Sequence, residues 1–324
     1  MHHEKNIVFR VTFLTKEGLR RAKRYLCPAR WAICLLFFAA TLSAQDLDPR
    51  AYSRVPVDIT FIVTGFVYSF GGILLDPTLP IEDLEAKVES PMLGIGHSFN
   101  LFGLTSQAYI GLPYSWAQAS GKVLGEERST TRSGLGDTRF RVSALVFGAP
   151  AATIEQFAKS SSRTIVGTSL TVTVPTGQYF SDKLINLGTN RWAFKPEIAL
   201  SYNVYQRWFF DLYAGVWLFT ENNSFYPGTS VRNQDPLAAF QTHLSYNFNP
   251  LMWAAIDLTY YNGGQSSVNE VYNDDRQKNS RFGATLNVPV SKQNSIKIAY
   301  SRGAIIRVGA NFSTISIAWQ MLFF

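Results

Sequence analysis

Beyond residue 44 the chain carries two histidines, His97 and His243, and no cysteine, so few side chains could do nucleophilic or metal chemistry. His243, Ser245 and Asn247 are spaced by two, which on a strand places all three on one face and sets a His beside a hydroxyl it could activate. A lipid-modifying enzyme would need such a pair to meet phospholipid. The opposite face of the same stretch, Phe240, Leu244, Tyr246 and Phe248, is the one suited to lipid, so His243 is expected to turn inward as a polar lining residue. Gly134-Leu135-Gly136 lacks the following helix and the Lys-Ser/Thr pair of a phosphate loop, and is expected to serve a turn or the entry to a strand. Glu270, Asp274 and Asp275 lack the spacing of a calcium loop. No catalytic, cofactor-binding or metal-binding residue is assigned, and the chain is expected not to be an enzyme.

The side chains that remain are charges scattered along apolar stretches: Arg139, Arg141, Lys195, Glu197, Asp211, Asp257 and Lys297. A charge facing lipid at mid-depth costs about 2–4 kcal/mol, so these seven, with His243, are expected to line a lumen. Mixed signs in a lumen either border a water-filled path or pair and plug it. Tyr213, Trp217 and Phe147, interleaved among them, would offer an apolar solute something to contact.

Such a lumen requires strands with unlike faces, and from residue 57 onward the pattern is a two-residue alternation. Phe194, Pro196, Ile198, Leu200, Tyr202 and Val204 form one face of a block whose other face is Lys195, Glu197, Ala199, Ser201 and Asn203. Twelve such blocks are expected at 57–71, 87–100, 104–117, 136–148, 163–175, 191–204, 207–220, 236–248, 251–262, 280–291, 294–302 and 310–324. The connections between them mostly alternate long and short, as the external loops and periplasmic turns of outer-membrane barrels do. Segment 149–162 breaks the rule by being long where a turn belongs. The fold expected is all-β: a transmembrane, antiparallel, up-and-down β-barrel of about twelve strands, with an even count returning both ends to the periplasm. A soluble sandwich or lipocalin-like barrel alternates too, with its greasy face inward.

Composition favours the membrane reading. Charged residues make up only 16% and aromatics 14%, yet no apolar run is long enough for a spanning helix. The net charge of +7 is local: residues 1–44 hold eight Lys/Arg against two Glu, leaving 22 basic against 21 acidic residues, so nucleic acid is not an expected partner. That leader, with a basic segment, an apolar stretch from Trp31 to Ala40 and small residues to Ala44, reads as a signal peptide cleaved after Ala44. Both cysteines, Cys27 and Cys34, fall inside it. Residues 45–56 are then a short periplasmic segment and 57–324 the barrel. Aromatics recur at block ends (Tyr202, Tyr205, Trp208, Phe209, Tyr246, Phe248, Trp253, Tyr260, Tyr261), as interfacial girdles would. The chain ends on Phe324, a terminal aromatic of the kind that barrel-assembly machinery recognises; the better apolar face of the last block is nonetheless Ile315, Ile317, Trp319, Met321 and Phe323.

Three stretches carry a resemblance: Gly134-Leu135-Gly136-Asp137, Val172-Thr173-Val174-Pro175-Thr176-Gly177, and Leu187-Gly188-Thr189-Asn190-Arg191-Trp192. Across residues 134–324 the chain resembles the barrel family named for the MetA pathway of phenol degradation, whose members are described as outer-membrane transporters. The resemblance implies uptake of aromatic or other apolar compounds and carries no catalytic residue. The function expected is therefore passive uptake of small solutes, hydrophobic or aromatic ones among them, by a cofactor-free monomer in the outer membrane of a Gram-negative bacterium. Its partners would be membrane lipid, the solute and the assembly machinery. The alternatives are the lipid-modifying enzyme and a structural or adhesive barrel acting through its external loops.

Overall fold

The computed structural model describes residues 47–74, 81–123, 125–183 and 185–324. The expected signal peptide, residues 1–44, lies outside them. The strands in chain order are β1 (Thr60–Leu74), β2 (Ile81–Leu101), β3 (Leu104–Val123), β4 (Glu126–Leu135), β5 (Thr138–Phe147), β6 (Thr164–Val174), β7 (Ala193–Tyr205), β8 (Trp208–Phe219), β9 (Asn222–Phe225), β10 (Ser230–Gln234), β11 (Leu237–Asn247), β12 (Trp253–Gly263), β13 (Ser266–Val268), β14 (Val271–Tyr272), β15 (Gln277–Pro289), β16 (Asn294–Ile305) and β17 (Gly309–Phe323). A single short helix among the described residues, α1 (Ile154–Lys159), lies between β5 and β6.

The main sheet closes on itself. Each long strand pairs antiparallel with its sequence neighbours, β1 pairs with β17 from Thr60↔Phe323 to Leu74↔Gly309, and β2 pairs with β3 to complete the ring. With β4 and β5 counted as two halves of one wall strand, the described residues form a closed twelve-strand antiparallel barrel. In hydrocarbon an unpaired N–H or C=O costs several kcal/mol, roughly, and a closed ladder leaves none along its edges.

The burial pattern separates the two faces. Ile198, Leu212, Leu244, Ile256, Leu258, Ile315, Ile317, Trp319 and Phe323 are exposed on the outside, while Lys195, Glu197, Asp211, His243 and Asp257 are buried on the inside. A soluble barrel would show the reverse, so the lipocalin-like alternative does not describe this sheet. Girdle aromatics follow the same division: Tyr205, Trp208, Phe248 and Tyr260 are exposed, and Tyr246 meets Trp208 at a tilt and Phe248 edge-on, with ring centroids 4.9 and 5.3 Å apart.

Four expectations are corrected. Phe147 points outward and is 62% exposed, because a register shift between Leu145 and Phe147 inverts the alternation at the end of β5. Phe209, Trp253 and Tyr261 belong to the interior instead of the girdles: Arg50 lies over the first two rings, and Tyr261 packs in a buried cluster with Trp217 and Leu237. Residues 118–135, expected as a loop, extend the ladder as the β3–β4 hairpin, from Gln118↔Thr131 to Val123↔Glu126. Residues 221–235 and 263–279, expected as loops, contain a second sheet, β14-β13-β10-β9.

Segment 149–162 is long for a reason. Thr153 caps α1 reciprocally with Gln156, and Ala151 and Ala152 are tied to Gly103 and Val57 by backbone hydrogen bonds of 2.8 and 2.9 Å, so the segment folds under the short-turn end.

The outward face sets a measurable cost. Leu258→Arg, at the middle of β12 on the outer face, should lower the unfolding free energy in lipid vesicles by about 2–4 kcal/mol, read from the urea midpoint. A loss near zero would mean that this face meets water.

Candidate functional site: a plugged lumen and a latched seam

The segment before β1 enters the barrel from the short-turn end and meets the inward charges one by one. Asp48 accepts from Lys297 Nζ at 2.9 Å and lies 3.8 Å from Arg141. The Arg50 guanidinium lies over Phe209 at 4.3 Å and Trp253 at 5.2 Å. Tyr52, only 1% exposed, hydrogen bonds with Ser169 at 2.7 Å, donates to Glu197 at 2.8 Å and meets Tyr213 edge-on at 5.0 Å. Arg54 donates to Ser160 and stacks on Phe157. Gly167 has to be glycine, because a Cβ there would enter the Tyr52 ring. Burial lifts the Tyr52 phenol to about 12, so it stays protonated and donates; burial lowers the Arg50 guanidinium, with the Asp211 carboxylate opposing. Residues 47–56, the described part of the segment expected in the periplasm, therefore pack inside the barrel.

Apart from Phe147, the sequence-predicted lining residues sit on the inner face. Arg141, Glu197, Lys195 and Lys297 join the plug's network: Glu197 is 3.5 Å from Arg141 and 3.1 Å from Lys195, whose Nζ also lies over Trp217 at 5.3 Å. Arg139 is half-buried on the same face of β5 as Arg141. Asp211 and Asp257 flank His243 from the neighbouring strands. His243 Nδ1 is 2.7 Å from Asp257 Oδ1, and Thr285 donates to the other carboxylate oxygen at 2.8 Å. His243 Nε2 and Ser245 Oγ each lack a hydrogen-bond partner, so they are not bonded to each other, and both residues are fully buried inside. Tyr213 and Trp217 are buried in aromatic clusters at two levels, with Tyr52 and Leu145 below and with Leu237 and Tyr261 above. Among the acidic loop residues, Asp275 accepts from the Ser266 amide and hydroxyl and Asp274 pairs with Arg307, so each has a protein partner.

A second feature escaped the alternation. β6 stops at Val174, opposite Thr138, while β4 continues upward paired only with β3. Above that level the ladder is replaced by the stretches 175–183 and 185–192, whose hydrogen bonds to the wall centre on one carboxylate. Asp137 accepts from Gly177 N at 2.9 Å, Thr189 N at 2.8 Å and Thr189 Oγ1 at 2.7 Å. Gln178 N donates to Leu135 O at 2.8 Å, and Arg132 Nε donates to Ile185 O at 3.1 Å. Gly177 passes so close that a Cβ would stand 2.7 Å from Asp137 Oδ1. The three glycine-bearing stretches of the sequence meet here. Further out, Asn222 donates to Tyr179 at 3.0 Å and to Thr189 O at 3.2 Å, and Arg191 donates to Gln234, tying the seam to the external sheet.

A closed twelve-strand sheet with its charges inside, its greasy side chains outside and an internal plug defines the class: this is a β-barrel of the outer-membrane type. Within that class the chain matches, over residues 76–319, the family described as "Putative MetA-pathway of phenol degradation", and it belongs to that family. Its fold is similar to that of an outer-membrane channel of the COG4313 group from Pseudomonas putida F1 (22% identity, TM-score 0.75, covering 86% of this chain and 100% of that one). It is also similar to the transport unit of the autotransporter AIDA-I from Escherichia coli (10% identity, TM-score 0.51, covering 92% and 99%). No curated protein sequence matches the chain.

Two outcomes follow. Asp137→Ala should leave two half-buried amides, those of Gly177 and Thr189, without acceptors, each lost bond costing about 1–3 kcal/mol at most. Hydrogen exchange should then accelerate across residues 177–189 while the β7–β8 ladder stays protected. The double substitution Asp48→Asn with Tyr52→Phe should raise single-channel conductance in planar bilayers, because it removes the plug's carboxylate between Lys297 and Arg141 and the Tyr52 hydroxyl that donates to Glu197.

Proposed function

We propose that this protein is an outer-membrane channel for passive uptake of small hydrophobic or aromatic solutes, acting as a single chain without a cofactor. The observation that carries the reading is the combination of a plug with an interrupted wall. An aqueous porin gains nothing from Tyr52 and Asp48 filling the periplasmic end, whereas an apolar solute needs only rings to contact and a way into the bilayer. Buried Trp217, Tyr261 and Tyr213 supply the rings. The sector between β4 and β7, closed by side-chain and loop contacts in place of a ladder, is the weakest part of the wall and the natural exit. The family's name, with its reference to phenol degradation, agrees with an aromatic cargo.

The lipid-modifying reading has less support, since His243 and Ser245 face the interior and are not hydrogen-bonded to each other. Purified protein in liposomes should equilibrate toluene or phenol faster than protein-free vesicles while admitting sucrose slowly. Sucrose entry matching that of a general porin, or no acceleration for any solute, would sink the proposal.

A further inference from the structure

One band of the inner wall is polar and incompletely partnered. Tyr213, Gln241, Thr259 and Arg281 stand side by side on β8, β11, β12 and β15, with Gln241 registered directly against Tyr213 and Thr259, and Thr259 against Arg281. All four are at least nine-tenths buried, with exposures of 1, 4, 4 and 3%. Tyr213 Oη, Gln241 Oε1, Thr259 Oγ1, and Arg281 Nε and Nη1 have no hydrogen-bond partner in the protein. A single orphan of this kind is commonplace; four in one register row are not, because each costs about 1–3 kcal/mol when buried unmade.

The charge in the row is also uncompensated. Arg281 uses Nη2 on the Phe312 carbonyl at 2.7 Å and reaches Ser301 Oγ at 3.4 Å, neither of which is an anion. The nearest inward carboxylate on the adjoining strand, Asp257, is held by His243 and Thr285. A buried guanidinium without a counter-ion is strongly unfavourable, so the site is built for a negative group. Its surroundings state the rest of the ligand. Tyr261, two residues along the same face from Thr259, packs with Trp217 and Leu237 immediately above the row, and the Tyr213 ring lies 5.1 Å from that of His243 at its lower side.

The geometry points to a binding site for a small aromatic carboxylate, its anionic group on Arg281 with Thr259 and Tyr213, and its ring against Trp217 and Tyr261. This rests on the uptake reading and deepens it by naming the solute class: an aromatic acid instead of a neutral hydrocarbon. Gln241 Oε1, an acceptor, would favour a hydroxyl-bearing ring over a bare one.

Calorimetric titration of benzoate into the full-length, detergent-solubilised protein tests it, with acetate and toluene as the charge-only and ring-only controls. Benzoate should bind more tightly than either. Arg281→Gln should weaken benzoate by about ten- to a hundredfold, as expected for a lost hydrogen bond to a charged group, and leave toluene nearly unchanged. Heat-modifiable gel migration verifies that each variant folds. Should Arg281→Gln fail to fold, because its Phe312 contact is lost, Gln241→Leu with Thr259→Val removes the neighbouring polar groups without touching that contact and should also weaken benzoate. Equal affinity of wild type and variants for benzoate, or no benzoate binding by folded wild type, overturns the site. If toluene still crosses liposomes in that event, the uptake reading stands; if benzoate binds but nothing crosses, the uptake reading fails and the site remains.

Discussion

Everything in this molecule follows from the requirement that peptide groups in hydrocarbon find partners within the protein. A closed antiparallel ladder meets it for all but one sector of the wall. Once the ladder is closed, the two-residue period decides what each side chain sees, and the charges that would be costly against lipid are collected on one surface. That surface is too crowded with opposite signs to remain an open pipe. The N-terminal segment answers it with one carboxylate and one hydroxyl, Asp48 between Lys297 and Arg141 and Tyr52 donating to Glu197.

The exceptional sector shows what happens when the ladder is absent. Where β6 ends, one buried carboxylate substitutes for a run of backbone pairs by taking three donors from two segments. Asp137 thus concentrates in one side chain what elsewhere is spread over a strand. Its glycine neighbours are consequences of that crowding, since the chain must pass within van der Waals distance of the carboxylate on both sides. This is the physical content of the three glycine-bearing motifs that carry the family resemblance.

The strands were largely legible in the sequence. The block expected at 191–204 is β7, Ala193–Tyr205, and that at 207–220 is β8, Trp208–Phe219, because a membrane outside and charges inside impose the sharpest alternation a strand can have. The β3–β4 extension was missed because it projects beyond the bilayer, where Glu126, Glu127 and Arg128 are exposed and no apolar face is required. Phe147 was misplaced by a bulge, which inverts facing without altering composition. Phe209 and Trp253 looked like girdle residues, yet the partner that draws them inward is Arg50, far away in sequence. The plug and the seam are tertiary facts: residues 47–56 have no period, and nothing local announces that Asp137 will meet Thr189.

The plug is covalently continuous with the first strand, separated from β1 by only a few residues that are themselves sewn to Ser98. A stopper on so short a tether never dilutes: its local concentration at the lumen stays at or above the order of millimolar whatever the abundance of the protein. Any displacement of it would therefore be a unimolecular step, insensitive to expression level and reversed without any other molecule.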